Sequence, residues 1–165
     1  MPVLDGWAAT RALRALPPPL GDVPVLCYSA HCPDAARLRA SGFDGALPKP
    51  CDPATLATTI APWTPDGTLA GVERLAGVFG AAEIAALVAR FRDQLAEALD
   101  GLDHATDRMT AHRIAGLAGT LGFARVGQSW LALSEGDDAM RESARRAARA
   151  TLRQIDRTAR ASDVY

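Results

Sequence analysis

"AHRIAGLAGTLGF", residues 111–123, sets one histidine among residues that are nearly all small or apolar. On a helical wheel of about 100° per residue with His112 at zero, Ile114, Leu117, Ala118 and Leu121 fall roughly 140–240° away and form a core stripe. The histidine points outward. Gly116 and Gly119 lie within roughly 40° of it and Ala115 within about 60°, so its neighbours carry almost no side chain. A glycine inside a helix costs about 0.5–1 kcal/mol relative to alanine, so two on one exposed face call for a reason. Close approach of a partner surface, or of a tetrahedral phosphoryl group on the imidazole, is such a reason. Imidazole, with a pKa near 6.5, keeps one unprotonated, nucleophilic nitrogen at neutral pH. The competing reading is plain: a lone surface histidine commonly has no role, and small residues also let helices pack closely.

Outward from this stretch the chain reads as helical on both sides. From Ala81 to Leu102, residues Ile84, Leu87, Val88, Phe91, Leu95, Leu99 and Leu102 recur three or four apart in a single stripe, with Glu83, Arg90, Arg92, Glu97 and Asp100 elsewhere. The last segment carries an apolar line through Met140, Ala144, Ala147, Leu152 and Ile155. Helices joined by short connections predict an antiparallel helical bundle. Residues 62–68, rich in Pro and Gly, read as a linker, and the texture before it differs. "VPVLCYS", Val23–Ser29, is a continuous apolar run that fits a strand buried on both faces of a parallel sheet, and "GALPK" a second, shorter strand. Pro33 and Asp34 start and Gly42 stops a short helix between them. Further helices are expected over Gly6–Leu16, ending before Pro17–Pro19, and over "DPATLATTI". The domain reading is an α/β segment over 1–61 with two parallel strands, a linker over 62–68, and an all-α antiparallel four-helix bundle over 69–165.

Composition narrows the function classes. Of 165 residues 48% are hydrophobic, and 18 basic against 19 acidic side chains leave a formal net charge of −1. That balance offers no overall field toward nucleic acid or an anionic membrane. No apolar stretch reaches the roughly 20 residues of a membrane span, and no signal segment opens the chain, so a cytoplasmic location is expected. Cys27, Cys32 and Cys51 make an odd count without a CxxC and read as reduced thiols rather than a disulfide framework; a metal site joined by His31 is disfavoured, and none is expected. His31 and His104 fall in apparent loops or helix ends and read as solvated, and Trp7, Trp63 and Trp130 as packing residues.

Around His112 the sequence resembles the phosphorylated helix of histidine-containing phosphotransfer (HPt) domains, whose motif runs His-x-Leu-Lys-Gly and continues through small residues to Leu-Gly. His112, Ile114, Gly116, Leu121 and Gly122 match it. Ala115 departs, standing where the family often has a lysine that helps hold the phosphoryl group; Arg108, one turn before His112, and Arg113 beside it are the candidate substitutes. In helix order and length the resemblance spans roughly Leu69–Ala159, and it implies a four-helix bundle with an N-terminal covering helix.

The first part has its own resemblance. "MPVLDG", "VPVLCYSA" and "GFDGALPKP" are similar, in order and spacing, to the second half of response-regulator receiver domains. The resemblance puts Ser29 and Lys49 at the two switch positions that contact an aspartyl phosphate, and implies a cis peptide before Pro50. It also implies that the phosphoacceptor aspartate would stand three positions before Met1 and the magnesium-binding acidic pair earlier still; Asp5 belongs to the Asp-Gly turn. Together the two resemblances match the C-terminal part of a hybrid sensor histidine kinase.

The function expected is therefore phosphorelay signal transduction, with His112 taking a phosphoryl group from a receiver aspartate and yielding it to another receiver. Gly116 and Gly119 would admit the partner, with Met109 and Ala115 in its docking surface. No cofactor is expected on this chain; Mg²⁺ is expected on the partner receiver. Response-regulator receiver domains are the expected partners, without nucleic acid or direct membrane contact. The alternative is an interaction module that docks or sequesters receivers without phosphorylation, favoured by Ala115. A nucleotide-using kinase finds no Gly-rich phosphate loop in the sequence.

Overall fold

The computed structural model describes residues 5–102 and 107–162 and divides into two units between Ile60 and Ala61. In the first, helix α1 (Gly6–Arg14) opens on Asp5, whose carboxylate accepts from the Ala8 amide at 2.7 Å, and ends short of the Pro17–Pro19 run. Strand β1 (Leu26–Ser29), helix α2 (Ala35–Ala40), strand β2 (Gly45–Pro48) and helix α3 (Pro53–Ile60) follow. Asp34 caps α2 through the Arg37 amide at 2.9 Å, and Gly42, at φ +88°, turns the chain out of it. Asp52 caps α3 in the same way, accepting from the Thr55 amide at 2.9 Å and its hydroxyl at 2.6 Å.

The two strands run parallel, Leu26 opposite Gly45 and Ser29 opposite Pro48, with α2 as the crossover. The run Val23–Ser29 was expected to be a strand buried on both faces. It forms strand only over its last four residues, and Tyr28 is 53% exposed. A sheet of two strands, all that the described residues contain, gives β1 a neighbour on one edge and covers it incompletely.

The apolar core of this unit is small: Leu38, Phe43 and Leu47, with Trp7 edge-on to Phe43 at 5.2 Å. A polar staple supplements it. The Arg14 guanidinium donates to the carbonyls of Gly42 at 2.8 Å, Gly21 at 2.8 Å and Val23 at 2.6 Å, and to the carboxylate of Asp44, which also accepts from the Val25 amide at 2.9 Å. One side chain thus ties α1 to both strand entries.

The second unit is helical. The stretch 62–68, read as a linker, instead completes a 3-10 turn (Ala61–Trp63) and supplies the first turn of helix α4 (Pro65–Phe79). Proline at a helix's first position surrenders no hydrogen bond, so Pro65 starts the helix rather than breaking it. Helices α5 (Ala81–Gly101), α6 (Arg108–Leu121), α7 (Ala124–Ser134) and α8 (Arg141–Ser162) follow. Met140, expected on the apolar line of the last helix, belongs to a 3-10 turn (Asp138–Met140) before it.

Helix α6 packs on α5 and α7, α8 packs on α5 and α7 in turn, and α4 lies against α5 and α6. Between them Phe91, Leu95, Leu102, Ile114, Leu121, Phe123, Val126 and Trp130 are fully buried, with Phe91 stacked on Phe123 at 5.1 Å. Helix α4 approaches α6 at two glycines. A Cβ on Gly71 would come within 2.6 Å of Gly122 Cα and of the Leu121 carbonyl.

Candidate functional site

Helix α6 carries the site, and local chemistry sets both its ends. Asp107 caps the start, accepting from the Met109 amide at 3.1 Å. At the end Gly122 takes a left-handed φ of +85°, the Phe123 amide donates to the Ala118 carbonyl at 2.8 Å and the Gly122 amide to that of Gly119 at 3.2 Å. This double bond pattern, with glycine in the left-handed position, is a Schellman stop.

Between these ends the helix divides by face. Ala111, Ile114, Ala118 and Leu121 are buried and Leu117 half-buried, whereas His112, Gly116 and Gly119 are exposed. Beyond the helix's own backbone, a Cβ on either Gly116 or Gly119 would meet no atom within 4 Å. The imidazole therefore stands on an outward face with open space over the two turns that follow it.

Ala115 does not share that face. It was expected in the docking surface with Met109, and is only 7% exposed, whereas Met109 is 77% exposed. The cause lies on α7, where Gly127 lacks a side chain and lets the two backbones close together: a Cβ there would sit 3.6 Å from the Ala115 carbonyl and 3.8 Å from Gly119 Cα. The small residues on this side of α6 thus serve helix packing. Gly127 is the residue that sequence reasoning missed; its one signal is a glycine inside an otherwise ordinary helical run.

No family model, curated protein or solved structure matches the chain.

The two candidate cations leave α6 on opposite sides. Arg113 lines an open cleft of about 220 Å³ between α5 and α6, together with Gln94, Glu97, Gly101, Asp107 and Thr110. Arg108 turns the other way, toward the end of α7, where its guanidinium lies 3.0 Å from the place a Cβ would occupy on Gly136. Gly136 has φ +97°, a conformation that favours glycine, and the missing side chain leaves room for the guanidinium.

In the first unit Ser29 and Lys49 stand at the carboxyl ends of adjacent parallel strands, joined by a 2.9 Å hydrogen bond from the Lys49 amide to the Ser29 carbonyl. The Ser29 hydroxyl accepts from the His31 amide at 3.3 Å, and the Lys49 ammonium sits 4.7 Å above the Tyr28 ring. The Lys49–Pro50 peptide is cis. Cys27, Cys32 and Cys51 are free thiols; burial, then the neighbouring Cys32, pushes the Cys27 thiol up from its ordinary range. Among the described residues no group of three His, Cys, Asp or Glu side chains is placed to hold a metal ion, and no helix is long and apolar enough to cross a membrane. His31 is exposed and His104 lies outside the described residues. Trp130 is buried and Trp63 stacks under the Arg125 guanidinium at 3.8 Å.

Proposed function

We propose that the helical unit is an HPt-like phosphocarrier in which His112 accepts a phosphoryl group from the aspartyl phosphate of a receiver domain and returns it to another receiver. The observation that carries this reading is the exposed imidazole beside Gly116 and Gly119, with no side chain obstructing the helix surface there. The closed ring of contacts among α5, α6, α7 and α8, with α4 laid across α5 and α6, fits a four-helix bundle with a covering helix. In the forward step an imidazole nitrogen attacks phosphorus, the N–P bond forms, the P–O bond to the aspartate breaks, and the imidazole N–H proton leaves to solvent. Positioning and charge neutralisation dominate such transfers. Mg²⁺ on the partner receiver would supply much of the neutralisation, so this chain need only present the nucleophile. Cytoplasmic placement follows from the partner.

The parallel pair carrying Ser29 and Lys49 at its carboxyl ends fits the second half of a receiver domain, in which those two side chains would contact an aspartyl phosphate. A second reading, an unphosphorylated module that docks receivers, is favoured by the burial of Ala115 where the HPt motif often places lysine.

Incubation with a panel of phosphorylated receivers separates the two. Acid-labile label on the wild type that is lost in His112→Ala supports the carrier. Receivers that bind wild type and His112→Ala equally and never transfer label support the docking module.

A further inference from the structure

We propose that Arg108, not Arg113, is the cation that steadies a phosphoryl group on His112, and that Gly136 sets its position. The assignment rests on the phosphocarrier reading of His112. Residues four apart on a helix are neighbours on one face, with Cβ atoms roughly 6 Å apart, so Arg108 lies about 40° from His112 on the wheel and Arg113 about 100°. Side chains on a helix lean toward its N-terminus, which carries the imidazole over the turn that Arg108 begins, and the long, flexible Arg108 arm has to turn back from its own lean to meet it. Arg113 instead faces the cleft beside α5, in the company of the carboxyl side chains Glu97 and Asp107.

Ala115 cannot be the source of charge, and its burial against α7 leaves the N-terminal side of the histidine as the approach for a cation on this helix. At Gly136 the turn after α7 accommodates the guanidinium, one of whose nitrogens lies 3.0 Å from the place of the absent Cβ. Guanidinium is a strong choice for this task because its planar fork of donors matches phosphate oxygens and stays charged at every accessible pH.

The test uses potassium phosphoramidate as donor, so that no receiver is needed. The imidazole nitrogen attacks phosphorus, the donor P–N bond breaks, and ammonia leaves as ammonium with the imidazole N–H proton. The ³¹P resonance lost in His112→Ala identifies the phosphohistidine, and its shift is followed against pH in wild type, Arg108→Ala, Arg108→Lys and Arg113→Ala. A cation that comes within roughly 6 Å in a water-like dielectric favours the phosphoryl dianion and would lower its protonation midpoint by about 0.5 pH unit. Arg108→Ala is expected to raise the midpoint by that amount, Arg108→Lys to restore part of it, and Arg113→Ala to leave it in place. An unchanged midpoint in Arg108→Ala, or a larger rise in Arg113→Ala, overturns the assignment. Failure of every receiver to label His112, with the Arg108 effect intact, overturns the carrier reading alone.

Discussion

The two units solve the same stability problem with different means. Among the described residues the helical unit buries a continuous core of seventeen apolar residues from Phe91 to Ile155, whereas the α/β unit buries three, Leu38, Phe43 and Leu47, and leaves Leu16, Leu20, Val23, Tyr28, Leu56 and Ile60 exposed. Helix α3 contributes no buried residue at all. In place of hydrophobic mass the small unit has Arg14, which occupies three carbonyls and a carboxylate at once. A unit held by apolar mass loses stability in proportion to the volume removed. One held by a charged staple fails when a single partner is removed, because the other charge stays buried.

This contrast can be broken experimentally. The largest effect is expected from Arg14→Ala, which removes the cation paired with Asp44, whose side chain is 1% exposed, and should cost about 3–5 kcal/mol. Hydrogen exchange should show protection lost over α1, β1 and β2 and retained over α5–α8; loss across both units would mean that they do not fold separately. Trp130→Ala is expected to be of similar or slightly smaller size, about 3–5 kcal/mol, and confined to the helical unit. Among the described residues the buried indole N–H meets no acceptor, and its removal recovers part of the cost of the cavity. Denaturant unfolding followed at Trp7 or Trp63 and by helix content resolves this.

Smaller changes sharpen the comparison within α6. Gly71→Ala should cost about 1–3 kcal/mol by pushing α4 off Gly122. Gly116→Ala should stabilise the helix by about 0.5–1 kcal/mol, since its Cβ meets open space, while slowing phosphotransfer from receivers. Stability gained with unchanged transfer would remove the reason given for that glycine.

The smallest effects are chemical. Hydrogen bonds from the Thr55 hydroxyl and amide hold the Asp52 carboxyl below the usual carboxylate range. A depressed folded-state pKa contributes stability above the unfolded value of about 3.9, and that stability disappears as the pH falls through the folded value. Amide protection in α3, relative to the intrinsic exchange rate at each pH, should therefore fall in acid before that in α6. Iodoacetamide near neutral pH should modify Cys32 ahead of Cys27, whose thiol is pushed up.

Much of this was legible along the chain because local rules govern it. Asp34 and Gly42 bound the short helix between the strands, and the 3.6-residue period separates His112 from the stripe of Ile114, Ala118 and Leu121; Asp52, Asp107 and Gly122 cap their helices by the same local rules but were not read as caps. Pro65 was misread as linker because proline signals both a break and a start. Ala115 was misplaced because a wheel knows angles and not neighbours.

The sequence by itself determined where most of the helices lie, the capped ends of a short one such as α2, and the outward direction of one histidine, since these depend on residues within a turn or two of each other. Tertiary structure alone decided which small residues serve packing and which leave space. Gly127 closes α7 onto Ala115 while Gly116 stays open, and Gly136 receives an arginine 28 positions before it (136 − 108). The pairing of Arg14 with Asp44 across 30 residues is of the same kind. Contacts of this range depend on how the backbones approach in three dimensions, which no periodicity along a single segment encodes.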